Sequence, residues 1–411
     1  MEKPYLRRYI DDYLDGGMEH LPAFMLIGPR GCGKTTTAAR RAESVVRLDS
    51  SAQKELLEAN PERFLSELEP PVLIDEWQAS PESLSAVKHL VDTSPGAGRF
   101  LIAGSVRARV QLNPWPGTGR ITPLHMSGLA QGELLGSERA QTFIDRAFTG
   151  DLPTGTLAHA PAVTHYARQA EAGGFPEAVD LPPEYRDSWY EGYVEMIASR
   201  DVADIATIEY PELMKRILRT VALNTAGLPG IQSLAEASGA DRRTFERYVD
   251  LLEELGLVQR IPRWESNRLK RMVKTPKIHI TDTGLAMWLS GLDSSALLND
   301  TDKLGRIMDS FVLAQLRPLF RINRRKVTPH HLRDSNGRRE IDLILESQQG
   351  DLVAIEVKAS GRVSAKEIRH LEWLRDEHPE EFTRGIIFHS GDTAGEISDK
   401  IWSLPISAIW S

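Results

Sequence analysis

Apolar positions along this chain follow two rhythms, and the alternation between them predicts its first elements. Short continuous apolar runs at Ala23–Ile27, Ser44–Leu48, Pro71–Glu76, Arg99–Ala103 and Ile121–Met126 read as buried strands. Between them the apolar residues move to three- and four-residue spacing. Tyr5, Leu6, Ile10, Tyr13 and Leu14 predict an amphipathic helix over 5–20, and an acidic stretch over about 52–69 predicts another. Strands alternating with helices argue for a parallel α/β sheet wound on both faces.

From about 130 to 210 the helical rhythm takes over, at Ala158–Ala172 and Tyr185–Ile208, interrupted by the turn Gly173-Gly-Phe-Pro-Glu177. Leu213–Asn224, Ile231–Ser238 and Arg242–Leu255 follow as three helices, with Gly239 and Gly256 as stops and Asp241 as a cap. Leu257–Ile261 is then a strand, and Pro276–Leu285 a strand entering a short helix. Asp309–Leu316 reads as helix, Glu340–Leu345 and Leu352–Lys358 as strands, Lys366–Glu377 as helix and Gly385–His389 as a final strand. Ile401–Trp410 is apolar enough to dock on the body.

Chemistry enters at Gly28-Pro-Arg-Gly-Cys-Gly-Lys-Thr35, which fits the phosphate-loop spacing between a strand and a helix. Glycines there turn backbone N–H groups toward phosphate oxygens. Gly28, Pro29, Arg30, Gly31, Cys32, Gly33, Lys34, Thr35 and Thr36 form the expected ATP-binding set. Lys34 would reach the β- and γ-phosphates, and the Thr35 hydroxyl would hold Mg²⁺. The strand ending in Asp75-Glu76 supplies the other half. Asp75 would hold Mg²⁺, and Glu76 would polarise the attacking water. Ser105 closes the fourth strand, where a hydroxyl would lie near the γ-phosphate.

Leu26–Thr36, Val72–Gln78, Ala103-Gly-Ser105 and Gly119-Arg120 resemble the AAA+ ATPase domain of a large prokaryotic family whose C-terminal region is of the "domain of unknown function 4143" type. Gly173–Glu177 and Ile197–Asp201 also resemble signatures of that family. The resemblance implies Asp75 as the Mg²⁺ acid, Glu76 as catalytic base and Ser105 as the sensor position. It also implies ring assembly, a hexamer being the usual outcome, with an arginine completing the neighbouring subunit's site. Arg120 is the first candidate for that finger and Arg200 the second. The expected organisation is an AAA+ core over 1–150, a helical lid over 151–210, a winged helix-turn-helix over 211–300 and a nuclease-like α/β domain over 301–411.

The second helix of the helix-turn-helix carries Arg242, Arg243 and Arg247 near its start, where a recognition helix meets DNA. The wing, Arg260 to Lys277, adds Arg263, Arg268, Lys270, Arg271 and Lys274, with Glu265 opposing them. A protein-interaction role for such a module stays open. In the C-terminal part, Asp342 on one strand and Glu356-Val-Lys358 on the next match the PD-(D/E)xK nuclease pattern. Residues two apart in a strand share a face, so Glu356 and Lys358 point together toward Asp342. The resemblance adds Asp309 as a further metal acid. His330 and His331 face opposite ways and read as structural or phosphate-facing.

Composition narrows the remaining choices. Net charge is −8, so DNA binding must come from local patches. A single cysteine, Cys32, forms no intrachain disulfide framework. No apolar signal region opens the chain, and the expected compartment is the cytoplasm. The expected function is an ATP- and Mg²⁺-dependent AAA+ ATPase that binds and remodels or translocates DNA, branched or junction DNA among its candidate substrates. An ATP-gated, Mg²⁺-dependent endonuclease and a nucleotide-switched signalling or defence protein engaging a protein partner are the alternatives.

Overall fold

The computed structural model of the chain describes residues 4–105, 119–137, 141–201, 211–266, 275–334, 338–364 and 366–411. Strands β1 (Ala23–Gly28), β2 (Ser44–Arg47), β3 (Val72–Asp75), β4 (Phe100–Ser105) and β5 (Thr122–His125) form a sheet in the order β2-β3-β4-β1-β5. Every pairing in it is parallel. All residues of β1 and β3 are buried, as a sheet covered on both faces requires. Alternate side chains feed two separate cores. Met25, Ile27, Ile74 and Ile102 pack on one face, and Phe24, Leu26, Leu73 and Leu101 on the other. The acidic helix expected over 52–69 is two helices, Ser51–Ala59 and Pro61–Ser66. Asn60 and Pro61 divide it, because Pro lacks the N–H to continue a helix but suits its first turn.

Register aligns the carboxyl ends of the strands. Gly28 lies level with Ser105, Ile27 with His125 and Asp75 with Ala103. The loop leaving β1 and the acids leaving β3 therefore meet at one rim, where ligands of parallel sheets bind.

The middle region is helical. Val163–Ala172 and Pro183–Met196 flank the Gly173 turn. Pro211–Leu223, Ile231–Ser238 and Arg242–Glu254 follow, and then an antiparallel hairpin of β7 (Val258–Ile261) and β8 (Lys277–Ile280). The Asp241 carboxylate accepts from Thr244 N at 3.0 Å and caps the third helix. Gly239 and Gly256 both have φ of +73°, which lets each helix stop in the left-handed conformation. This is a helix-turn-helix with a wing.

The last sheet has the order β6-β13-β14-β12-β11-β10-β9 among the described residues. Its members are β6 (Gly155–Thr156), β9 (Thr328–Arg333), β10 (Glu340–Glu346), β11 (Leu352–Val357), β12 (Phe382–His389), β13 (Thr393–Ser398) and β14 (Ile401–Pro405). The strand expected to be final, β12, is not. β14 pairs with it in parallel and β13 continues antiparallel, so the apolar tail is part of the sheet. One buried apolar cluster runs from Phe143 to Trp410 and joins the helical region, the winged helix and this sheet. Among the described residues no helix is long and apolar enough to cross a membrane.

Candidate functional site

The loop between β1 and the helix Lys34–Ala39 turns through Gly31 (φ +77°) and Gly33 (φ +98°). Both are conformations that cost a residue with a side chain about 1 kcal/mol or more. Lys34 is buried, and its ammonium donates to Gly28 O at 3.0 Å and Pro29 O at 2.9 Å. These partners are neutral carbonyls, so the charge itself is uncompensated by them. The Thr35 hydroxyl donates to Asp75 Oδ1 at 2.8 Å. Burial raises the Asp75 pKa, while the Thr35 hydrogen bond opposes the rise. A hydroxyl in the first turn of the helix and a carboxylate oxygen at the end of β3, in contact, are the donors a hard divalent cation takes.

Glu76 follows with φ +53° and ψ +42°, a left-handed turn that redirects the chain out of β3. Its carboxylate accepts from the Gln78 side-chain amide. A Cβ at Gly104 would overlap Gln78 and the Trp77 indole, so glycine on β4 lets this turn lie against the neighbouring strand. Gln78 thus positions Glu76, a role its place in the Val72–Gln78 run does not announce. Ser105 ends β4 beside Gly28. Its side chain lies outside the described residues, as does that of Arg200 in the π-helical turn Ile197–Asp201.

Two further supports of the loop were missed in the sequence. Arg8 donates to Cys32 O at 2.7 Å and to Ser127 O at 2.6 Å, and pairs with buried Glu133 at 3.1 Å. It ties the phosphate loop to the exit of β5. Tyr193 donates its hydroxyl to Arg30 O at 3.1 Å and stacks on Trp189. Cys32 is fully buried, while Thr36 is exposed. Arg120 pairs with Asp92 of its own chain at 2.8 Å.

Residues 21–135 match the family model of an AAA domain, 163–296 that of a domain of unknown function (DUF8612) and 304–409 that of a domain of unknown function (DUF4143). The chain carries an AAA domain and a DUF4143 region. Two uncharacterized proteins, Mb2031c of Mycobacterium bovis and Rv2008c of Mycobacterium tuberculosis, are each 29% identical to it over 310 residues, or 74% of this chain. The chain spans 64% of the length of these curated relatives. The crystal structure of the FIGL-1 AAA domain matches with 15% identity and a TM-score of 0.28, covering 60% of this chain and 83% of that one. The AAA domain makes the N-terminal unit a nucleotide-binding one and supports ATPase activity.

The DUF4143 region brings the expected acids together, but around a residue that was not expected. Lys277 of β8 is 1% exposed, and its ammonium lies 3.0 Å from Asp309 Oδ2 and 3.2 Å from Asp342 Oδ1. Asp342 also accepts from Val357 N at 3.0 Å. Glu356 is buried and pairs with Lys358 at 2.8 Å, with His370 3.7 Å away. Burial, reinforced by Asp342, pushes Asp309 up to about 8. Burial alone would raise Asp342 too, but Lys277 and Lys358 outweigh it and hold it below the usual range. Among the described residues no group of three His, Cys, Asp or Glu could hold a metal ion. Asp309 and Asp342, two of the three acids expected to hold a metal, flank the Lys277 ammonium, and the third, Glu356, pairs with Lys358.

The basic residues of the wing are placed as follows among the described residues. Lys277 is internal and takes no part in a basic surface. Arg260 pairs with Asp250 and Glu253, and Arg263 is mostly buried and pairs with Glu265 at 2.9 Å. Arg268, Lys270, Arg271 and Lys274 lie outside the described residues. On the helix Arg242–Glu254, Arg242 pairs with Glu246 at 3.0 Å. Arg243 and Arg247 are exposed, and neither has an acidic partner among the described residues. His330 and His331 are buried on β9, and His330 pairs with Glu346 at 3.2 Å.

Proposed function

We propose that this chain is an ATP-hydrolysing, Mg²⁺-dependent protein whose nucleotide state drives work on DNA held by the winged helix. The observation that carries the ATPase reading is the Thr35–Asp75 contact, followed directly by Glu76 in its left-handed turn. When bound, Mg²⁺ would neutralise charge on the phosphates. Thr35 and Asp75 would hold it, and Lys34 would exchange its two backbone carbonyls for phosphate oxygens. Glu76, fixed by Gln78, would accept the proton of the attacking water. Tyr193 and Arg8 keep the loop backbone in its cradle form during that exchange.

Coupling to DNA is supported by exposed Arg243 and Arg247 on the helix Arg242–Glu254. It is also supported by Gly256, whose hydrogen face lies against Pro29 of the phosphate loop. The end of the recognition helix thus touches the loop that holds nucleotide. Ring assembly, a hexamer in the AAA+ pattern, would require Arg120 to leave Asp92 and reach a neighbouring subunit. A second reading makes the winged helix a protein-docking module. The internal pairing of Arg260 and Arg263 favours it, since both cations are already neutralised.

An ATPase assay across single-stranded, duplex and four-way DNA separates these readings. Stimulation that weakens with salt supports work on DNA. Turnover indifferent to every DNA form, with no salt-dependent binding, removes DNA and leaves the docking reading.

A further inference from the structure

We propose that Lys277 is the resident counter-ion of the DUF4143 acid cluster, its ammonium filling the position a catalytic divalent cation would take. The cluster is an ion network and not a metal centre. Distances set the first point. A divalent cation sits about 2.0–2.6 Å from its carboxylate oxygens. What converges on Asp309 and Asp342 is an ammonium at 3.0 and 3.2 Å, the range of charge-assisted hydrogen bonds.

Charge sets the second. Asp309, Asp342 and Glu356 contribute three negative charges when ionised, and Lys277 and Lys358 contribute two positive ones. His370, 3.7 Å from Glu356, can contribute a third. A divalent cation added to this set would leave excess positive charge inside the protein, where an unpaired charge is costly. With Lys277 removed, the same acids present an excess of negative charge. They include Glu356 Oε1, a buried oxygen with no hydrogen-bond partner.

Anchoring sets the third. All four residues of β8 are buried, and β8 is paired through its full length with β7. Next to it, Trp264 N donates to His331 O at 2.6 Å and His331 N donates to Pro262 O at 3.0 Å, stitching the wing strand to β9. His279 of β8 also contacts Ser310, the neighbour of Asp309, at 3.1 Å. These contacts fix the backbone of Lys277 beside Asp309 and Asp342. The same ion network joins the wing hairpin to the last sheet through Lys277 and Asp342.

The inference is independent of the nucleotide reading, and its test is run without nucleotide in an Asp75→Asn background, which silences the phosphate-loop donors. Mn²⁺ binding is followed by the loss of its free paramagnetic signal. The parent should bind no Mn²⁺ through this cluster, so adding Asp342→Asn should change nothing. Lys277→Met should create a Mn²⁺ site that Asp342→Asn then abolishes, and Mn²⁺ should raise the melting temperature of Lys277→Met but not of the parent. Should Lys277→Met fail to fold, Lys277→Met/Asp309→Asn removes the lysine together with one of its acid partners and leaves Asp342 and Glu356 to bind. Parent Mn²⁺ binding that is lost in Asp342→Asn would overturn the inference. So would a folded Lys277→Met or Lys277→Met/Asp309→Asn protein that gains no Mn²⁺ site.

Discussion

Two sites in this chain are built from the same side chains and reach opposite outcomes. The phosphate-loop site and the acid cluster beside the last sheet each combine a buried lysine with an aspartate. Among the described residues Lys34 is bonded only to its own loop carbonyls, and Asp75 to a threonine hydroxyl. Both partners are neutral and exchangeable for phosphate and cation. Lys277 is bonded to two carboxylates, and Lys358 to a third. Residue type alone does not make a ligand site. What decides it is whether charges are left uncancelled when the chain folds.

The comparison is broken most sharply by Glu76→Gln. Nucleotide binding should persist while turnover falls roughly 10²–10⁴-fold, the usual range for a lost general base. Equilibrium binding and steady-state hydrolysis measured together check it, and retained turnover would remove Glu76 from its role. Lys277→Met comes next. It strands Asp309 and Asp342 in a buried site and should cost about 3–5 kcal/mol in denaturant unfolding. Lys34→Met has no carboxylate to strand, so it should lose nucleotide affinity with a much smaller stability cost.

A smaller effect sharpens the electrostatic side. Burial first, and Lys277 second, depress the His331 pKa from 6.5 to about 4. The unfolded chain then binds more protons than the folded one between these values. Stability is complete above about pH 6.5 and is lost as pH falls toward 4, by about 3 kcal/mol at most at 1.36 kcal/mol per unit. Melting temperatures at pH 7.5 and 5 should show the loss. The drop should shrink in Lys277→Met, where one of its causes is gone. The smallest expected effect is on the helix Arg242–Glu254. Arg243→Ala and Arg247→Ala should each lower the salt slope of DNA binding by about 1. An unchanged slope in both would favour the protein-docking reading.

The phosphate-loop site was legible because its parts are local. An apolar strand runs into the glycines, another runs into Asp75-Glu76, and parallel pairing brings the two ends to one rim. Gln78, Arg8 and Tyr193 act by hydrogen bonds that no period encodes. Arg8 reaches its loop partner from 24 residues away and Tyr193 from 163. Lys277 was hidden for the same reason, lying 32 and 65 residues from its partners. In sequence it continues a run of basic residues, and only β8's full burial separates it from them. β13 escaped notice because most of its residues are not buried, and β14 because five residues ending in Pro405 read as a docked tail. The Asp342–Glu356–Lys358 face was legible from strand alternation, but what neutralises it was not.

Counting Mn²⁺ on the full chain with a non-hydrolysable ATP analogue tests the contrast between the two sites most directly. The account predicts one bound Mn²⁺ per chain, dependent on the analogue, lost in Asp75→Asn and untouched by Asp342→Asn. A second ion that disappears with Asp342, or an ion count indifferent to Asp75, would contradict it.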